Sequence, residues 1–163
     1  TTASNNTAVG YVALLSNTTG ANNVALGANT MQANTTGASN SAFGKGALAS
    51  NTTATGNTAV GFESLVSNTT GYGNTAVGSI AGDAITTGTN NTTVGRASLT
   101  TCTTGASNVA MGLSSLEALT SASNNVAIGA NSGAAITTGA GNTCIGANAG
   151  VTVTTGGSNI IIG

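Results

Sequence analysis

The chain has 163 residues, with two basic and three acidic side chains and no His, Pro or Trp. Charged residues make up 3% of it and aromatic residues 2%, whereas ordinary soluble domains contain roughly 25% charged residues. This inventory is too poor for a zinc site, a calcium cage or a Ser–His–Asp triad, and two cations cannot neutralise a nucleic-acid backbone. No apolar run approaches the roughly 20 residues of a spanning helix. We therefore expect no enzyme, no metal, no cofactor, no nucleic-acid partner and no direct membrane insertion.

The sequence is a repeat with a period of 17 residues and without insertions or deletions. Its motif is Asn-x-Ala-apolar-Gly, and positions are numbered from the glycine as position 0. A period of 17 fits neither heptads nor the common helical repeats, while Gly, Asn, Thr and β-branched residues favour turns and strands. The pattern predicts one all-β parallel β-solenoid over residues 1–163, with 17-residue coils and about ten coils. The anchor glycines are Gly10, Gly27, Gly44, Gly61, Gly78, Gly95, Gly112, Gly129, Gly146 and Gly163.

Within each coil, positions −5 to −1 predict a first strand, position 0 a corner with positive φ, and positions −10 to −8 a second short strand. Strand alternation would place the large apolar residues at −1 and −3 inside the coil. The Ala at −2 and the Asn at −4 would then face outward. An outward Ala stripe fits close contact with another chain.

Self-association is expected on energetic grounds. Each thin coil buries few apolar side chains, whereas ordering its backbone costs about 1–2 kcal/mol per residue. A homotrimer with the Ala stripe near its axis would bury a second face. Both ends fall within a repeat and leave open strand edges, so either the chain continues in a longer fibre or subunits stack end to end.

Positions +4 and +7 compensate for one another. Copies with a large residue at +4, such as Leu48, have Asn at +7, such as Asn51, whereas copies with Gly at +4, such as Gly82, have Ile or Val at +7, such as Ile85. This predicts one core slot of fixed volume that is filled from either position. Two copies fill both positions, so the rule is a tendency.

Position −4 is Asn in every copy. Stacked in register, these side chains can hydrogen-bond in a column, as in cross-β arrays. We interpret the column as structural and not as a ligand site. Its members are Asn6, Asn23, Asn40, Asn57, Asn74, Asn91, Asn108, Asn125, Asn142 and Asn159.

All five charged side chains fall at positions +1, +2 and +5, in the most variable part of the coil. Such variation is typical of a solvent-facing loop. This variable arc is either a contact surface for a host receptor or glycan, or an exposed edge with scattered charges, and the second interpretation is favoured. The arc residues are Tyr11, Lys45, Phe62, Glu63, Asp83, Arg96 and Glu117.

Segments 124–132 (Asn-Asn-Val-Ala-Ile-Gly-Ala-Asn-Ser) and 22–29 (Asn-Asn-Val-Ala-Leu-Gly-Ala-Asn) resemble the head repeats of trimeric autotransporter adhesins of the YadA type. Similar Asn-Thr-Ala-Val-Gly repeats occur in phage tail-fibre-like proteins. The resemblance covers every repeat. It implies a left-handed parallel β-roll, a homotrimer and attachment at a cell or virion surface. Family coils are usually shorter than 17 residues, which bears on the coil outline and the trimer contacts.

Threonine columns at −9 and −8 raise the alternative of an ice-binding β-solenoid. Adjacent strand residues face opposite sides, so only one of these columns is expected to point outward. A flat array of two Thr columns is not predicted.

The sequence thus predicts a non-enzymatic structural segment of a fibre or adhesin. It would act as a stiff spacer and attachment surface in an extracellular filament, at a cell surface or on a virion. Ladders of hydrogen bonds would supply stiffness, and the variable arc would supply contacts.

Overall fold

The computed structural model describes residues 2–163, and ten short strands form one parallel sheet in sequence order. Neighbouring strands pair in a register of 17 residues, so that Thr7 lies beside Val24. The predicted all-β parallel β-solenoid is confirmed, and no helix occurs between residues 2 and 163. The strands are β1 (Thr7–Val9), β2 (Val24–Leu26), β3 (Ser41–Phe43), β4 (Thr58–Val60), β5 (Thr75–Val77), β6 (Thr92–Val94), β7 (Val109–Met111), β8 (Val126–Ile128), β9 (Thr143–Ile145) and β10 (Ile160–Ile162).

Each strand covers positions −3 to −1 and is shorter than predicted. Position −5 has positive φ in every coil, as at Asn22 with φ 60°, and this backbone conformation cannot belong to a strand. A turn follows the corner glycine over positions +1 to +6. The strand is therefore confined to the three residues between two bends of the backbone.

The predicted second strand at −10 to −8 is wrong, because this segment is a bend. The amides of Thr18, Thr19 and Gly20 all donate to the Thr35 carbonyl, at 2.9, 3.2 and 3.4 Å. In a parallel strand, successive hydrogen bonds are evenly spaced along the partner. Three donors that converge on one acceptor hold the coils together without a ladder. Thr1, the first member of the −9 column, lies outside the described residues.

The two faces of the strand are opposite to the prediction. Ala59 at −2 and Asn57 at −4 have no exposed surface and lie inside the coil. Val60 and Ile128 at −1 lie outside, with 36% and 40% of their surface exposed. The Ala column is therefore core, and the predicted trimer contact through an outward Ala stripe is wrong.

The reason is that the turn fills the interior. Position +4 lies across the coil from −2 of the next strand: a Cβ added at Gly82 would lie 3.2 Å from Thr93 Cγ2, and one at Gly150 would lie 3.4 Å from Ile161 Cδ1. Where +4 is a buried Leu, such as Leu48, only a small side chain fits opposite it. The large residues of the strand are consequently on its outer face.

The sequence contains a matching pattern. At all nine steps, Leu or Met at +4 is followed by Ala at −2 of the next strand, and Gly at +4 by a larger residue. A small residue on one side of the slot thus accompanies a larger one on the other, which keeps the filled volume nearly constant. The larger residues are Thr93 after Gly82, Cys144 after Gly133 and Ile161 after Gly150.

The predicted exchange between +4 and +7 is confirmed. A Cβ added at Gly82 would lie 3.0 Å from Ile85 Cδ1, and one at Gly133 would lie 3.1 Å from Ile136 Cδ1. The Ile at +7 therefore occupies the space that Leu at +4 occupies in other coils. Both Ile side chains are buried in the same core cluster as the leucines.

The predicted glycine corner is also confirmed. φ lies between 123° and 141° at the nine anchors from Gly10 to Gly146. A Cβ at Gly78 would lie 2.5 Å from the Gly95 carbonyl oxygen of the next coil. Backbone conformation and close stacking thus both require glycine here.

Candidate functional site: the outer stripe and the variable arc

The outer face of the sheet presents a continuous column of large apolar side chains at position −1, which we call the outer stripe. Eight of its members are 36–55% exposed, and position −3 beside it is only half-buried in coils 2 to 9. No charged residue occurs in either column. The outer stripe consists of Val9, Leu26, Phe43, Val60, Val77, Val94, Met111, Ile128, Ile145 and Ile162.

The size of the outer stripe sets it apart from scattered surface residues. Neighbouring strands lie about 4.8 Å apart, so nine steps extend for about 43 Å. Positions −3 and −1 lie about 7 Å apart along the strand, so the two columns together have a footprint of about 300 Å², in which position −3 is Thr or Ser in six of the ten coils. A surface of about 300 Å² is comparable to the largest apolar patch on a typical monomeric protein, and such patches are often functional.

The predicted core position of the outer stripe is wrong, because it assumes that the larger side chains of a strand face inward. The pairing of Gly at +4 with a larger residue at −2 is the signal that could have corrected this, because only facing positions need to exchange volume.

The variable arc lies at the surface but does not form one cluster. Tyr11 and Phe62 are 77% and 45% exposed, and Lys45, Arg96 and Glu117 are exposed as well. Its members are spread over successive coils along the rod. Their side-chain contacts are therefore local.

One local contact joins Lys45 to Phe62. The Lys45 Nζ lies 5.6 Å from the centre of the Phe62 ring. A cation over an aromatic face is stabilising by about 0.5–1 kcal/mol at an exposed site. The ammonium thus lies over one face of the Phe62 ring.

A second local group is acidic. Glu63 and Asp83 are both half-buried. Burial raises the pKa of the Asp83 carboxyl, the Glu63 charge adds to this, and the backbone N–H groups of Ala84 and Asp83 oppose it. Asp83 Oδ1 is buried and accepts no hydrogen bond within residues 2–163. Asp83 is thus the least well accommodated charge in the arc.

The asparagine column lies in the interior. The Asn40 N–H donates to Asn23 Oδ1 at 3.0 Å, and Asn40 Nδ2 donates to the Ala54 carbonyl at 2.9 Å. The same link from the backbone N–H to the preceding Asn Oδ1 occurs at all nine steps. Each amide therefore ties one coil to its neighbours from within.

The threonine columns at −9 and −8 both lie at the surface. The prediction that only one of the two columns points outward is wrong, because it relies on strand alternation, which does not apply to this bend. The −8 column is exposed from Thr19 to Thr155, whereas hydroxyls of the −9 column donate to the next coil, as Thr35 Oγ1 does to the Thr52 carbonyl at 3.1 Å. The −8 hydroxyls make no such bond and face solvent.

Within residues 2–163, no group of three or more His, Cys, Asp or Glu side chains is placed to hold a metal ion. The same part of the chain contains no helix with the length and hydropathy to cross a membrane. No protein-family model, curated protein or solved structure matches the chain. What the chain does is therefore inferred from its surfaces.

Proposed function

We propose that the chain is a structural segment of a fibre or adhesin, a stiff homotrimeric spacer that presents an attachment surface. We place it outside the cell, in a filament, at a cell surface or on a virion. The outer stripe is the observation that carries this proposal, because an uncovered apolar surface about 43 Å long calls for a partner of the same length. The role is mechanical and not catalytic.

Stiffness is supported by the hydrogen bonds between coils. They occur in the strand, in the turn, as from the Leu48 N–H to the Ser64 carbonyl at 3.1 Å, and in the bend, as from the Thr52 N–H to the Thr69 carbonyl at 3.0 Å. The asparagine column adds a further set inside the coil. Bending the rod would break several of these bonds at one coil boundary.

A second copy of the chain is the partner that fits the outer stripe best. Its apolar side chains recur at the strand spacing, so two copies can interdigitate along the whole rod in one register. Three copies around an axis would let each stripe contact two neighbours. This arrangement retains the self-association expected from the sequence but uses the −1 and −3 columns in place of the Ala column.

The proposal is tested by the mass of the native assembly, measured by native mass spectrometry and sedimentation equilibrium. We expect three chains in the wild type and one chain in a variant with Met111→Lys and Ile128→Lys, because two buried unpaired cations oppose association. Thr104→Lys with Thr138→Lys adds the same charge to the −8 column of the same rod and should leave three chains. A monomeric wild type with a well-formed β-sheet spectrum would contradict the proposal.

Ice binding is the second candidate. The observation that favours it is the exposed −8 column, whose hydroxyls make no hydrogen bond within residues 2–163. We expect thermal hysteresis if this column orders water, and its loss when Thr70→Tyr and Thr87→Tyr interrupt the column. A wild type that leaves ice growth unchanged would remove this candidate and leave the fibre proposal untouched.

A further inference from the structure

A shallow cleft lies in the variable arc of the first two coils. Its volume is about 400 Å³, within the usual range of small-molecule sites. It combines residues at +1 to +6 of one coil with those at +2 to +6 of the next. The side chains that matter are Tyr11, Val12, Leu15, Ser16, Asn29 and Gln32.

The cleft combines apolar walls with uncommitted polar groups. Tyr11 and Leu15 are 77% and 70% exposed. The side chains of Ser16, Asn29 and Gln32 make no hydrogen bond to any other group of residues 2–163. Their donors and acceptors are therefore all open to a ligand.

The side chain of Asn29 has no hydrogen-bond partner, unlike two of its equivalents in other coils. Asn131 and Asn148 occupy the same +2 position and bond to one another at 3.2 Å. The +2 neighbours of Asn29 are Val12 and Gly46, which offer its amide no side-chain partner. The free amide at this cleft is thus a local property of the first coils and not a feature of the repeat.

We propose that this cleft binds a neutral saccharide, which deepens the attachment role proposed above and rests on it. The face of the Tyr11 ring matches the C–H face of a pyranose, a large rigid contact with few rotamers to lose. Amide and hydroxyl groups both donate and accept, as sugar hydroxyls do. The lining has no cation to bind a phosphate, sulfate or carboxylate and no acid to bind an amine.

The other exposed aromatic of the arc offers different chemistry. Phe62 lies under the Lys45 ammonium and beside Glu63 in sequence. Its ring face is partly covered by a cation, and its surroundings are charged. A neutral polyol is therefore better matched at Tyr11 than at Phe62.

Saturation-transfer NMR and tyrosine fluorescence test the proposal. The chain has two tyrosines and no tryptophan, so Tyr72→Phe leaves Tyr11 as the only emitting side chain of this type. Glucose, galactose, mannose, N-acetylglucosamine, lactose and cellobiose are the probes, with glucose 6-phosphate as the charged comparison. For an open cleft we expect a Kd on the order of 1 mM for at least one neutral probe, and weaker binding of the phosphate.

Variants separate the cleft from the rest of the surface. Tyr11→Ala should weaken binding at least tenfold and still fold, because Ala28 and Ala130 occupy the same position in other coils. Tyr72→Ala removes the other exposed tyrosine and should not change the affinity. Asn29→Gly, the residue found at position 46, should weaken binding about threefold to tenfold through the loss of one hydrogen-bonding group.

Two results would overturn the proposal: no binding of any neutral probe up to about 10 mM, tenfold above the expected Kd, or equal binding by Tyr11→Ala. The fibre proposal fails independently, through the mass of the assembly. A trimer that binds no saccharide refutes only the cleft, and a monomer with saccharide binding that depends on Tyr11 refutes only the fibre.

Discussion

Two kinds of coil follow the same path with different interiors. In the coil 44–61, the turn contributes a buried Leu48, whereas in the coil 78–95 the same position is Gly82. The backbone is nearly unchanged, with φ of 51° at Leu48 and 59° at Gly82. Comparison of the Leu coil with the Gly coil thus shows that the outline is set by columns of bends, while the interior needs a certain volume and not a certain residue.

The two kinds of coil also differ in polarity at position +7. In the Leu coils, Asn51 Nδ2 donates to Asn34 Oδ1 at 2.7 Å, and the column continues to Asn68. It ends at Ile85, and Asn68 Oδ1 is buried with no partner within residues 2–163. A buried acceptor left unpaired costs about 1–3 kcal/mol. The change of coil type is therefore unfavourable at the boundary itself.

Substitution of the corner glycine should have the same effect at the start of the Leu coil and at the start of the Gly coil. We expect Gly61→Ala and Gly78→Ala each to lower the free energy of unfolding by about 3–5 kcal/mol, the largest effects considered. An added Cβ at either position would overlap the carbonyl of the next coil. Urea denaturation followed by circular dichroism measures the loss.

Gly56→Ala is the matched control for these two variants. It also has positive φ, at 68°, but a Cβ there meets no atom within 4 Å. We expect a loss of only about 1 kcal/mol, from backbone strain alone. Equal losses at positions 56 and 61 would mean that stacking does not restrict the corner.

Conversion of the Gly coil into a Leu coil tests the comparison directly. Gly82→Leu alone should cost about 1–3 kcal/mol by overpacking against Ile85 and Thr93. Ile85→Asn alone should cost about 3–5 kcal/mol, since it opens a cavity and buries an amide. The triple variant with Thr93→Ala restores the Leu-coil pattern and should return to within about 1 kcal/mol of the wild type. Additive losses in urea denaturation would contradict a shared slot.

The same triple variant also changes which Asn carries the unpaired Oδ1 acceptor. An Asn at 85 can donate to Asn68 Oδ1, but its own Oδ1 then faces Cys102 in the next coil. The unpaired acceptor moves along by one coil and is not removed. We therefore expect recovery from restored volume and no gain beyond the wild type.

Much of the fold could be predicted from the sequence because the repeat has no insertions. Strict spacing identified the parallel register, the glycine corner and the slot shared by positions such as Gly82 and Ile85. The strand sequence alone does not show which of its faces lies inside the coil, since Ala59 and Val60 point to opposite faces in either orientation. Only the facing turn decides between the two orientations, through its bulk at Leu48.

The candidate surfaces were less predictable for the same reason. Reversal of the strand moved the −1 column, with members such as Ile128, from the core to the outer face. The bend at −10 to −8 could not be distinguished from a strand, because Thr is common in both. The cleft at Tyr11 depends on which side chains lack partners in the neighbouring coil, and this requires coordinates.

Backbone strain at position +2 differs between the coil 78–95 and the coil 44–61, although not between Gly and Leu coils in general, because the Leu coil 10–27 has Val12 there with φ 51°. Ile80 in the Gly coil has φ of 52°, whereas the Leu coil has Gly46 there, with φ 71°. A β-branched residue in this region is strained by about 1–2 kcal/mol. We expect Ile80→Asn, the residue found at positions 29, 131 and 148, to raise the free energy of unfolding by about 1 kcal/mol. Ile80→Val keeps the branch and should bring no gain in the same thermal and urea melts.

The smallest expected difference is a pH dependence of stability that arises from Asp83, in the Gly coil. Burial raises the pKa of Asp83 above its ordinary 3.8, and Glu63 adds to the rise, so the folded chain binds more protons than the unfolded chain. Stability should therefore fall as the pH rises from about 3.8 through the raised pKa, and stay lowered above it. Asp83→Asn should abolish this slope in melts at a series of pH values. Glu63→Gln should keep most of the slope, because desolvation is the main cause of the raised pKa of Asp83. A slope that is unchanged in Asp83→Asn would assign the titration to another group.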